Sequence, residues 1–268
     1  MAERLEKILM IGCGNMAGAM LDGWLAAGLD PARFTVVEPG AKALPAGIER
    51  DRSVPPSGVF DAILLGVKPQ MLGDVAPQVA PLAGEGTTLL SLLAGVELET
   101  LAARFPAARG HVRVMPNLAV ALGKSPVALA ERGLDDGGRA EVLALMEPLG
   151  APEWVGEAEF DLVTALTGSG PAFVFRFIDA LAAGAAELGL PREQAGRMAL
   201  AMVEGAAALA AASPHSPGEL ADRVASPGGM TREGLDVLDA DKVLERLLTE
   251  TLRAARDRGA ELAAAARG

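Results

Sequence analysis

The sequence has no tyrosine, and its aromatic residues together make up 3% of it. A chain so poor in flat side chains is ill suited to stacking on bases or sugars. Its abundant alanine and glycine point instead to closely packed helices. Cysteine occurs once, at Cys13, so no internal disulfide can form, which fits a reducing compartment. The only histidines, His111 and His215, are far apart. With a single cysteine they argue against a structural zinc site, and no metal is expected. Basic residues are in deficit: 24 Lys and Arg against 35 Asp and Glu leave a formal net charge of −11. That argues against a nucleic-acid partner, which needs basic surface. Small anions remain open, because local amides and helix dipoles can hold them. No secretory pattern is visible before Lys7, so a cytoplasmic location is expected. The stretch 172–190 is apolar but interrupted by Arg176, Asp179 and Glu187. It reads as a buried helix, and no membrane span is expected.

What the chain does have begins at residues 8–24, ILMIGCGNMAGAMLDGW. A short apolar run is followed by closely spaced glycines, and then by Met16, Met20, Leu21 and Trp24 at helical spacing. Strand, glycine turn and helix place a pyrophosphate at a helix N-terminus. The match to G-x-G-x-x-G/A is Gly12, Gly14 and Ala17. Gly12 permits the tight turn, Gly14 lets the backbone approach phosphates, and Asn15 is a short polar residue near the helix start. A plain glycine-rich turn is the competing reading. Cys13, inside the turn, reads as a small buried filler rather than a reactive thiol.

At 268 residues there is room for one large or two ordinary domains. Further strand-like runs occupy 34–37, 61–67, 87–93, 111–115, 127–130 and 153–155, and helical segments lie between most of them. This alternation predicts an α/β fold: a Rossmann-type, doubly wound and mostly parallel sheet over 1–156, with ligands at the carboxyl ends of its strands. Those ends gather Gly12–Asn15, Glu38, Val67–Pro69, Ala94, Gly95 and Asn117 along one edge. Glu38 is placed to accept hydrogen bonds from ribose hydroxyls and to repel a 2′-phosphate, which favours NADH over NADPH. Lys42 lies close enough to neutralise a phosphate, and a solvated carboxylate is the alternative. Lys68 reads equally as a cofactor contact or a solvated loop lysine.

From residue 157 no convincing strand follows, and 157–268 is expected to be all-helical. Helices are predicted over 160–188, broken at 167–171, over 191–212, and from Leu235 to Ala265 without interruption. Such apolar helices often pair between subunits, so a homodimer through this half is expected. Ser216-Pro217-Gly218-Glu219 is a capping box and needs no further explanation. Ser226-Pro227-Gly228-Gly229-Met230-Thr231 has no matching glutamate. It reads either as an anion nest beside a hydroxyl or as a glycine loop with Thr231 as N-cap.

Together these stretches resemble the Δ1-pyrroline-5-carboxylate reductase family: IGCGNMAGAM, VKPQ at Val67, SLLAGV at Ser91, VRVMPN at Val112, TGSGPAFVF at Thr167 and SPGGMT at Ser226. The order MPN, GSGPA, SPGG-x-T carries most of the specificity. The resemblance implies reduction of 1-pyrroline-5-carboxylate to L-proline with NADH or NADPH, by a Rossmann domain and a helical dimerisation domain, in dimers that often assemble into decamers. It places cofactor contacts on Gly12, Cys13, Gly14, Asn15, Met16, Ala17, Val67, Lys68, Pro69, Ala94 and Gly95. Glu38 and Asn117 join these as candidates at strand ends. It places the substrate on Ser226, Gly228, Gly229, Met230 and Thr231, with Thr231 near the ring nitrogen as the candidate catalytic residue. The 226–231 loop is expected to face the nicotinamide across one cleft from the glycine turn. Ala225, and LAVALGKS after MPN, depart from the family pattern. Two other readings stand beside this one: another imine or β-hydroxyacid reductase on the same plan, or a dinucleotide-binding regulator without turnover. The β-hydroxyacid reading wants a lysine within 167–176, where the sequence has none.

Overall fold

The computed structural model describes residues 5–40 and 43–267, so Lys42 lies outside the described residues. Two compact units emerge: 1–169 together with 255–268, and 170–254. Residues 157–169 therefore group with the sheet, whereas the change of composition divides the chain at 156.

The first unit runs β1 (Ile8–Ile11), α1 (Asn15–Ala26), β2 (Phe34–Val37), β3 (Glu49–Asp51), β4 (Ala62–Leu65), α2 (Leu72–Val79), β5 (Thr88–Ser91), α3 (Leu98–Arg104), β6 (Gly110–Met115), β7 (Ser125–Arg132), α4 (Asp136–Met146) and β8 (Gly150–Trp154). The strands form one sheet in the order β3-β2-β1-β4-β5-β6-β7-β8. Every neighbouring pair is parallel except β6 with β7. Continuous apolar runs make sense here because successive side chains point to opposite faces and both faces are covered. In β1 and β4, Ile8, Met10, Ala62 and Leu64 enter one core, while Leu9, Ile11, Ile63 and Leu65 enter the other. Trp24 fixes α1 in place: its ring stacks on Phe34 at 5.4 Å, and its Nε1 donates to the Leu145 carbonyl at 2.7 Å. β3 is absent from the sequence reading because ERD is short, polar and partly exposed, so no apolar pattern marks it.

After β8 come α5 (Phe160–Val163) and a π-helical turn (Thr164–Gly168). The second unit holds α6 (Gly170–Glu187), α7 (Arg192–Ala212), α8 (Pro217–Val224), α9 (Met230–Asp239) and the start of α10 (Val243–Arg267). Two expectations are corrected. The helix read as continuous from Leu235 breaks at Asp241 and Lys242, with φ of 51° and 54°. Aspartate tolerates this left-handed region, so no glycine announces the break. The helix expected to be buried, α6, has only Ala182 buried within the chain. α6 meets α7 through alanines (Ala182, Ala195 and Ala199, with Ile178 and Ala185 beside them), and its larger apolar residues stay outside. α7 is long and apolar enough, by length and composition alone, to cross a membrane.

Candidate functional site

β1 lies between β2 and β4, so the chain leaves this point of the sheet in opposite directions and a crevice opens at the strands' carboxyl ends. The glycine turn lies there. Gly12 has φ +86°, and a Cβ on it would come within 3.0 Å of Val67 Cγ1 and 3.2 Å of the Gly66 carbonyl oxygen. Both conformation and packing therefore require glycine at 12. Gly14 is different. Its backbone is extended, with φ −66° and ψ −165°. The nearest atom to a Cβ there would be the Gly66 oxygen, at 4.0 Å. Among the described residues no contact closer than this demands glycine at 14. A helix N-terminus approached by glycines in this way could hold a diphosphate. Gly14 is the N-cap of α1 and supplies no side-chain cap; Asn15, exposed at the first helical position, supplies none either.

The sequence reading missed Gly66. A Cβ on it would lie 2.7 Å from the Gly12 oxygen and 2.8 Å from Ala17 Cβ. The signal was a glycine closing the apolar run DAILL. Gly66 and buried Ala17 together let α1 approach β4. Met16 packs against the core, and Cys13 is buried in it.

Glu38 reaches the same turn. Its carboxylate accepts from the Cys13 amide at 3.0 Å and the Gly40 amide at 2.9 Å. Arg50 on β3 donates to the Glu38 and Gly40 carbonyls. Arg50 was not foreseen, because the strand that carries it was not. Val67 touches the Gly12 position, Lys68 is exposed, and Pro69 opens a 3₁₀ turn.

Further along the edge, within the first unit, lies a cavity of about 260 Å³. Ala94, Gly95, Met115, Thr164, Ser169 and Arg113 are among its lining residues. Gly95 is buried, with φ +76°. Arg113, in the middle of β6, is 4% exposed. It pairs with Glu157 at 3.0 Å and Asp161 at 3.7 Å, and lies 3.9 Å over the Phe160 ring. A charged residue within the run HVRVM was the available signal for it. Asn117 is buried and committed to the protein: its Nδ2 donates to the Thr167 carbonyl at 3.0 Å, and its Oδ1 accepts from the Ala119 amide at 2.8 Å. It thereby ties the end of β6 to the π-helical turn. Such turns recur at functional sites.

The 226–231 loop belongs to the second unit. The Gly229 amide donates to the Ser226 carbonyl at 3.0 Å, and Gly228 has φ +69°. Proline at the second position and a left-handed glycine at the third are the signature of a type II turn. A Cβ on Gly229 would lie 2.5 Å from Ser226 Oγ. Gly228 is required by its left-handed conformation, whereas a side chain at 229 would have to displace the Ser226 hydroxyl. α9 starts at Met230 with no side-chain cap, which leaves Thr231 in its first turn, exposed and not acting as the N-cap. Arg232 is held by Asp222 at 2.8 Å, and that hydrogen bond raises its pKa. The capping box at Ser216 and Glu219 forms in full. Among the described residues, no group of three or more His, Cys, Asp or Glu side chains could hold a metal ion.

The chain matches the pyrroline-5-carboxylate reductase dimerisation model over residues 157–262 and the coenzyme F420-dependent NADP oxidoreductase model over 7–95. A pyrroline-5-carboxylate reductase of Pseudomonas aeruginosa is 34% identical over 267 residues, spanning 96% of this chain and 97% of that one. One from Escherichia coli is 33% identical over 244 residues, spanning 87% and 90%. Among solved structures, a pyrroline-5-carboxylate reductase from Coxiella burnetii superposes with a TM-score of 0.87 at 28% identity, covering 97% and 99% of the two chains. A Plasmodium falciparum pyrroline carboxylate reductase with NADP bound shares the fold, with a TM-score of 0.81 at 22% identity and coverage of 97% and 100%.

Proposed function

The chain belongs to the pyrroline-5-carboxylate reductase family, and from that premise we propose that it reduces 1-pyrroline-5-carboxylate to L-proline with NADH or NADPH. The observation that carries this is likeness along nearly the whole chain, with 34% identity over 96% of it. A match to the dinucleotide fold alone would leave the reaction open.

The residues present fit a dinucleotide, because Gly12 makes the turn at φ +86° and, among the described residues, the nearest atom to a Cβ on Gly14 would be the Gly66 oxygen at 4.0 Å. The bound cofactor supplies a hydride from nicotinamide C4 to the imine carbon C5. Gly12, Cys13, Gly14, Asn15, Met16 and Ala17 form the diphosphate turn. Glu38 takes the adenosine ribose hydroxyls, which favours NADH. Val67, Lys68, Pro69, Ala94 and Gly95 line the path towards the nicotinamide. Asn117 acts there by holding the strand end, since its side chain is already bonded to protein. On the helical side, the turn at Ser226 offers the amides of Gly228 and Met230 to the substrate carboxylate, with the dipole of α9 behind them; the Gly229 amide, expected to join them, instead closes the turn on the Ser226 carbonyl. The Thr231 hydroxyl bonds the ring nitrogen. It need not be a strong acid: a protonated imine already carries the proton and has an electrophilic carbon. Holding the two reactants face to face contributes much of the rate.

The exposed apolar residues of α6 and α7 are assigned to a homodimer, in keeping with the dimerisation model that spans them. That assignment also accounts for the apolar length of α7 without a membrane. The cytoplasm suits the single buried cysteine.

Mixing the protein with pyrroline-5-carboxylate and either reduced cofactor should lower the absorbance of that cofactor. No oxidation with either would leave a dinucleotide-binding regulator as the better account.

A further inference from the structure

A guanidinium buried in a sheet is costly unless paired, and replacing such an ion cluster with an apolar side chain is often neutral or stabilising. Arg113 therefore calls for a reason beyond stability. Its partners supply one. The Glu157 oxygen that binds Arg113 also accepts from the Leu98 amide at 3.0 Å, at the start of α3. Gly95 stands three residues before that amide. Asp161, the second partner, stands three residues before the π-helical turn that begins at Thr164. Met115 follows two residues after Arg113 on β6. One guanidinium thus joins three segments: the loop after β5, the end of β6 and the entry to the π-helical turn. Each contributes wall to the same cavity, through Ala94 and Gly95, Met115, and Thr164 and Ser169.

We propose that Arg113 is a positioning residue for hydride transfer. Acting through Glu157 and Asp161, it sets the Ala94–Gly95 loop and the π-helical turn at 164–168 at the spacing the nicotinamide end requires. This rests on the reductase reading above. It predicts a defect confined to chemistry, because the diphosphate turn at 12–17 and Glu38 make no part of the cluster.

Three variants test it: Arg113→Met, Arg113→Lys and Glu157→Gln. Each is measured for thermal midpoint, dinucleotide dissociation constant, and kcat and KM with pyrroline-5-carboxylate. Arg113→Met should keep its fold, change dinucleotide affinity by less than about threefold and lose about tenfold or more in kcat. Arg113→Lys keeps the charge but cannot make the two-armed contact, and should recover only part of that loss. Glu157→Gln, at a partly exposed position, should show the same kcat-selective loss at smaller size, and it carries the test if Arg113→Met does not fold. Wild-type kcat in Arg113→Met, or in Glu157→Gln where that variant carries the test, overturns the proposal. So does a loss of kcat that only follows the loss of thermal midpoint. A wild-type protein with no reductase activity refutes the functional reading instead, and is distinguished by that control.

Discussion

The sheet unit and the helical unit handle their apolar residues in opposite ways. In the first, Trp24, Phe34, Phe105 and Phe160 are fully buried, and two cores cover the two faces of the sheet. In the second, the buried residues are alanines, Ala182, Ala195, Ala199 and Ala225, while Phe175, Leu200 and Leu209 are 68%, 57% and 61% exposed. Burial contributes roughly 25 cal/mol per Å² of apolar surface, so the first unit stabilises itself and the second leaves much of that gain to a partner. The glycine turn is shaped by contacts inside the sheet unit, whereas Thr231 stands exposed in the first turn of α9.

The strongest way to break this comparison is a charge on the uncovered helical face. Phe175→Asp should split the dimer, weakening it by about 4 kcal/mol, as expected for a central apolar anchor. Light scattering should then report a monomer with its helical circular dichroism retained. A dimer of wild-type affinity would mean that α6 is not the covered face.

In the sheet unit, Gly66→Ala forces a methyl against the Gly12 oxygen and Ala17. It should cost about 3 kcal/mol of stability by overpacking. Gly14→Ala meets only an ordinary contact among the described residues, the Gly66 oxygen at 4.0 Å, so it should leave the thermal midpoint in place and remove dinucleotide binding in a fluorescence titration. If both glycines behave alike, the distinction between packing and ligand space fails.

Thr231→Ala should lower kcat/KM by the loss of one hydrogen bond, about 2 kcal/mol, with no change in the dinucleotide dissociation constant. Unchanged reduction kinetics would remove Thr231 from the reaction. The smallest effect is expected at Glu38. Glu38→Ala should erode the preference for NADH over NADPH by about tenfold, or ~1.4 kcal/mol. A wild type that strongly prefers NADPH contradicts the role given to Glu38.

Much of this was legible in the sequence because burial and turn chemistry leave local marks. The two-faced burial of β1 and β4 appears as unbroken apolar runs, Gly12 as a turn residue, and Ser216 with Glu219 as a cap. Other features depend on contacts far apart in the chain. Gly66 is required by Gly12 and Ala17, and Arg50 reaches the Glu38 and Gly40 carbonyls from the polar strand β3. Asn117 shares the edge with the cofactor candidates, yet its side chain serves Thr167 and Ala119. The break at Asp241 and Lys242 has no glycine or proline to mark it. The exposure of α6 was hidden for a further reason: an apolar helix reads the same whether its own chain or a second copy covers it.

The central claim is hydride transfer to a cyclic imine, and isotope labelling tests it directly. The protein is incubated with pyrroline-5-carboxylate and a reduced dinucleotide carrying deuterium at the transferred C4 position, and the proline formed is analysed by mass spectrometry. The account predicts proline with one deuterium, bonded to C5. Proline without deuterium, or no proline at all, would contradict it.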